Sequence, residues 1–220
     1  MAVQRLAEGL WRWTAPHPDW REGADWDRTV GSVYCETPEA VVLIDPLVPA
    51  GGGDRDRFWG ALDRDVARLG LPVTVLLTCR WHVRSAGDVR DRYSAAVWAP
   101  SADGEGLEGV VSDVLDDERW PVDGVQAFLM GGPSEEAVYW IPEHRAVIPG
   151  DVLLGAGDGV RLAPAEWYSA SQPERDWFQT DLVPSLHRLA RRDPALLLPA
   201  HGDPVTAGAT AALRAALTVA

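Results

Sequence analysis

Lysine is absent from this 220-residue chain, in which all 20 basic residues are arginine. Schiff-base chemistry on a lysine is thereby excluded. Cysteine is nearly absent: Cys35 and Cys79 stand in no CxxC-like spacing, which predicts two reduced, buried thiols rather than a disulfide framework. Long apolar runs are missing, since stretches such as Ala40-Val41-Val42-Leu43-Ile44 are strand-length and far short of a membrane span. Met1 to Glu8 lacks the apolar core of a secretory signal, so the expected compartment is the cytoplasm. Positive charge is scarce against negative. The net charge of −13 argues against nucleic acid as a partner, because phosphate backbones are bound by clustered cations. Repeats, low-complexity tracts and long linkers are also missing. The expected organisation is one domain over residues 1–220, of a size that buries a large core.

What is present alternates between strand and helix signals. Strands are predicted over Leu10–Thr14, Thr29–Glu36, Ala40–Ile44, Val73–Thr78 and Ala95–Trp98. Phe58, Leu62, Val66 and Leu69 recur at helical spacing within Asp54–Leu69, with Gly70 as the stop, and a short helix is predicted over Gly87–Tyr93. The second half repeats the style, with strands over Val125–Leu129, Ala137–Ile141, Arg145–Ile148 and Ala195–Leu198. Helices are predicted there over Gln172–Arg191 and Thr206–Leu217. Strands in two groups, each flanked by helices, fit an α/β (α+β) four-layer αββα sandwich.

Four segments carry chemistry-bearing residues just after predicted strands. They are Val41 to Pro46, ending in Asp45; Thr78 to Gly87; Ile148-Pro149-Gly150-Asp151; and Leu197 to Pro204, with His201. In this order and at these separations they resemble the metallo-β-lactamase superfamily over nearly the whole chain. The resemblance implies its αββα fold and a hydrolase ancestry. It places Asp45 beneath the active site, Asp151 where a carboxylate bridges two metals, and His201 at the last histidine ligand.

The metal-binding loop departs from the family's Thr-His-x-His-x-Asp-His pattern. The first histidine falls on Cys79, the second on Trp81, the aspartate on Val83 and the adjacent histidine on Arg84. His82 stands one residue out of phase, so its side chain is expected to leave the loop in another direction. The turn Met130 to Glu136, where the family has a further histidine, has none. Of the ligands the resemblance implies, Asp151 and His201 remain, and a catalytic zinc needs about three plus an open position. No metal is therefore expected, or, if one binds, it is a zinc held by Asp151, His201 and Cys79 or His82.

Arg84 is expected to pair with Asp151 and to supply fixed positive charge where the family has a metal ion. His82 and His201 are candidates for proton chemistry. His17, His144 and His187 read as surface or structural residues. Tryptophan is abundant, at 11 residues. Packing accounts for most of these, while Trp20, Trp26 and Trp81 are expected to wall the pocket for a flat or apolar ligand.

The expected protein is thus hydrolase-like with a degenerate dinuclear site. It would bind a small molecule, or act without metal through Asp151, His201, Arg84 and His82, with Trp81, Cys79, Asp45 and Trp20 around the ligand. Two alternatives stand beside it: a mononuclear metal-dependent hydrolase of a small ester, thioester or lactone, and a non-catalytic scaffold.

Overall fold

A computed structural model describes residues 1–104, 106–131, 135–167 and 176–218. A seven-stranded sheet runs in chain order: β1 (Ala2–Ala7), β2 (Leu10–Pro16), β3 (Thr29–Glu36), β4 (Val41–Ile44), β5 (Val73–Leu76), β6 (Ala96–Ala99) and β7 (Asp113–Val114). Its first four strands are antiparallel, and β4 to β7 are parallel. The change of sense requires crossovers, supplied by α1 (Gly52–Leu69) between β4 and β5 and by α2 (Ala86–Tyr93) between β5 and β6. Gly70 ends α1 with φ 66°, donating its N–H to the Val66 carbonyl.

The second sheet has the order β13 (Leu196–Leu197), β10 (Ala146–Ile148), β9 (Glu136–Ile141), β8 (Gln126–Gly131), with β13 parallel to β10. A hairpin of β11 (Leu153–Ala156) and β12 (Gly159–Leu162) stands beside it. Helices α3 (Val183–Ala190) and α4 (Ala209–Thr218) follow.

Side chains alternate across each sheet, and both faces are covered. Val41 and Leu43 pack with Phe58 and Leu62 of α1, whereas Val42 and Ile44 face the other sheet and meet Tyr139 and Ile148. On the second sheet, Val138 and Trp140 turn outward to Leu186 of α3 and Leu213 of α4. The layers are therefore αββα.

The elements depart from expectation in three ways. Strands β1, β7, β11 and β12 were not foreseen: β1 is exposed along most of its length and shows no apolar alternation. β5 stops at Leu76, leaving Leu77 and Thr78 in the loop that follows. The helix expected over Gln172–Arg191 begins in residues 172–175, outside those described. Its described part passes from α-helical residues 176–177 into a π-helical turn, Phe178–Leu182, before α3, whose Pro184 has no N–H to continue a regular ladder.

Candidate active site

Asp45, the Thr78–Arg84 loop, Asp151 and His201 each follow the carboxyl end of a strand: β4, β5, β10 and β13 respectively. Ligands collect at such ends in open α/β sheets. Two close backbone approaches bring these segments together. Gly150 (φ 57°) passes so near Thr78 that an added Cβ would lie 2.5 Å from Thr78 Oγ1. Gly202 (φ 79°) lies against Gly155, where a Cβ would meet the Gly155 oxygen at 2.7 Å. The His201 segment is further held by Gly155 N–H to the His201 carbonyl (2.8 Å) and Gly31 N–H to the Ala200 carbonyl (2.7 Å). Buried Arg12 donates to the Gly202 carbonyl at 2.8 Å.

A polar chain crosses the floor. Asp45 accepts from the Thr78 backbone N–H (2.8 Å) and hydroxyl (2.6 Å), and its Oδ2 lies 2.9 Å from His82 Nδ1. The opposite ring nitrogen, His82 Nε2, is 3.3 Å from Asp151 Oδ2, while His201 Nε2 is 3.4 Å from Asp151 Oδ1. The short 3-10 turn Arg80–His82 turns His82 inward to burial and leaves Trp81 65% exposed, stacked under Arg80. The ligand atoms of Cys79, His82 and Asp151 all lie within 4.8 Å of one another. A thiolate, an imidazole and a carboxylate are the donors zinc takes, and three leave a fourth position open.

The charges follow from burial and proximity. Burial and Arg84 act against a charged His82, but Asp151, Cys79 and Asp45 outweigh them and raise its pKa well above 6.5. Burial also opposes ionisation of Asp151, yet His82, His201 and Arg84 hold its carboxyl below the usual range. Burial lowers His201 to about 4 and raises the Cys79 thiol to about 11. Glu136, buried on the cavity wall, is raised well above the carboxylate range by burial and by Asp151.

Above this floor is a cavity of about 330 Å³. His82, Arg84, Glu136, Asp151 and His201 form its polar side, and Trp26, Trp81 and Trp167 its aromatic side. Trp26 and Trp167 both stand edge-on to His201, with ring centroids at 5.6 and 6.4 Å.

No family model and no curated protein matches the sequence. Solved structures do match the coordinates. The DIM-1 metallo-β-lactamase superposes over 99% of this chain and 94% of its own, at TM-score 0.69 and 16% identity. A metallo-β-lactamase from Pontibacter korlensis does so over 99% and 97%, at TM-score 0.66 and 19% identity. A metallo-β-lactamase family protein from Thermus thermophilus covers 98% of this chain and 79% of its own, at TM-score 0.59 and 20% identity. This chain has the metallo-β-lactamase fold.

Within that fold the structure rearranges the expected site. His82 enters the site instead of leaving it, and takes the place beside Cys79 and Asp151 that the resemblance pointed to for His201. His201 lines the cavity as Asp151's second neighbour. Arg84 does not make the expected direct pair with Asp151. It adopts φ 36° and donates Nη1 to the carbonyls of Gly31 (3.0 Å) and Asp45 (3.1 Å), acting on Asp151 through space. Asp45 and Cys79 are buried behind the cavity wall.

Trp20 is not on the wall of the main cavity; it braces that wall by donating Nε1 to the Trp26 carbonyl at 3.0 Å. Trp167 takes the expected position of Trp20. His17, read as surface or structural, lines the cavity, while His144 and His187 are outside it. Glu136 was missed because a lone acidic residue at a strand start has no periodic signal. Residues 132–134 of the Met130–Glu136 turn lie outside those described.

Proposed function

We propose that this protein is a hydrolase-like enzyme of small acyl compounds (esters, thioesters or lactones) with a single metal position, Cys79–His82–Asp151, in place of a dinuclear centre. The observation that carries this reading is the 4.8 Å grouping of those three donors together with Asp45 on the far nitrogen of His82. A carboxylate behind a ligating histidine fixes its tautomer and orientation. A zinc ion held there would supply Lewis acidity to polarise a carbonyl. The residues themselves do the rest. Thr78 locks Asp45, Asp45 keeps the Nδ1 proton of His82, and Arg84 adds positive charge at the floor. Trp26, Trp81 and Trp167 exclude water from one side of the cavity and face a flat substrate.

Elemental analysis of protein purified without added metal tests this. About one zinc, iron or manganese per chain is expected, falling in Cys79→Ser. Metal-free protein whose melting temperature is unmoved by zinc overturns it.

One observation favours a second reading. His82 lies between Asp45 (2.9 Å) and Asp151 (3.3 Å), as a buried imidazolium held by two carboxylates would. The protein would then bind its small molecule without metal, and the same measurement separates the two.

A further inference from the structure

Asp25, Trp26, Trp167 and His201 border two cavities at once. The second, of about 260 Å³, is walled by the β2–β3 loop and the β11–β12 hairpin. The shared partition is tied across the cleft, because Trp167 Nε1 donates to Asp25 Oδ2 at 2.7 Å. The side chamber and the site described above therefore adjoin at one partition, built on two indole rings.

The charges of that chamber are of both signs and are not spent on each other. Arg161 and Asp27 line it, and among the described residues neither has an ion-pair partner. Among the described residues the Arg161 guanidinium has one hydrogen bond, a long contact with the carbonyl of its neighbour Leu162, at 3.4 Å. Asp27 is near enough to His201 to bear on its charge. A purely anionic ligand would meet Asp25 and Asp27, and a purely cationic one would meet Arg161. A dipolar ligand satisfies both.

We infer that the side chamber binds the zwitterionic head group of an α-amino acid. The Arg161 fork takes the carboxylate and Asp27 takes the ammonium. Trp26 and Trp167 pack on the carbon stem that passes into the main cavity. Resting on the proposed hydrolase reading, this makes the substrate class an acyl compound carried on an amino-acid side chain.

Calorimetric titration of the full chain, metal-loaded and metal-stripped, tests this with three probes: L-phenylalanine, its N-acetyl derivative and its methyl ester. L-phenylalanine is expected to bind saturably, and each capped form about fivefold or more weakly. Arg161→Met should remove the penalty for the ester while keeping that for the acetyl form, and Asp27→Asn the reverse. Both positions are exposed, and circular dichroism checks that each variant is folded.

Absence of saturable L-phenylalanine binding in both metal states overturns the inference. So does equal affinity for the three probes, or discrimination that survives both substitutions. Protein that never takes up metal but still discriminates would overturn the hydrolase reading alone. Metal-bearing protein indifferent to the probes would overturn the side chamber alone.

Discussion

Asp45 Oδ2 sits 2.9 Å from His82 Nδ1, and the same carboxylate is gripped by both the backbone and the hydroxyl of Thr78. The carboxylate thereby dictates which ring nitrogen of His82 holds a proton. Asp45→Asn tests this with little disturbance, because asparagine tolerates the φ of 50° found there. Its amide would donate to Nδ1, move the ring proton to Nε2 and block the nitrogen that faces Asp151. Zinc affinity should fall about 10–100-fold while the fold persists, as read by competition with a chromogenic chelator and by circular dichroism.

Gly150→Ala should damage stability and site together. The new methyl would lie 2.5 Å from Thr78 Oγ1 on a backbone of positive φ. A loss of roughly 2 kcal/mol or more is expected, measured by urea unfolding with an unchanged slope. Activity comparable to the parent protein at full stability would contradict the close approach.

His201 gives a pH dependence with a definite sign. Its native pKa of about 4 is below the 6.5 of an unperturbed histidine. As pH falls from 6.5 toward 4, the unfolded chain takes up a proton that the native site refuses, so this contribution to stability is present above pH 6.5 and lost on acidification. Ring nitrogen NMR of metal-free protein should show His201 neutral at pH 5.5, and His201→Gln should flatten the stability profile between these pH values.

Arg84→Met removes a cation that works against protonation of His82 and for ionisation of Asp151. Both groups should then titrate at higher pH in the metal-free protein. Histidine and carboxylate chemical shifts followed against pH give the check, and a downward move of His82 would refute the through-space role of Arg84.

Much of the fold was legible because covered sheet faces leave continuous apolar strands such as Val41–Ile44 and Val73–Leu76, and because Gly70 and the Gly-Asp and His-Gly pairs punctuate them. The position of Asp151 and His201 after strand ends was equally readable from order alone. The orientation of His82 was not. Counting along the loop assumes one residue per ligand direction, whereas the 3-10 turn at Arg80–His82 rotates the chain and exchanges Trp81 for His82. The engagement of Arg84 with backbone carbonyls rests on a positive φ that no spacing announces. Trp167 reaches the site through a contact spanning 142 residues, beyond any local pattern.

The chemistry-bearing residues are divided between the two sheets: Asp45, Cys79 and His82 follow strands of one, Asp151 and His201 strands of the other. Their mutual distances are therefore set by how tightly the sandwich is closed. A parting of the layers by about 1 Å, small beside what unfolding requires, would pull the donors out of register. On the proposed hydrolase reading, turnover should accordingly fail in mild denaturant before the helical signal does, making activity a strain gauge for the seam between the sheets.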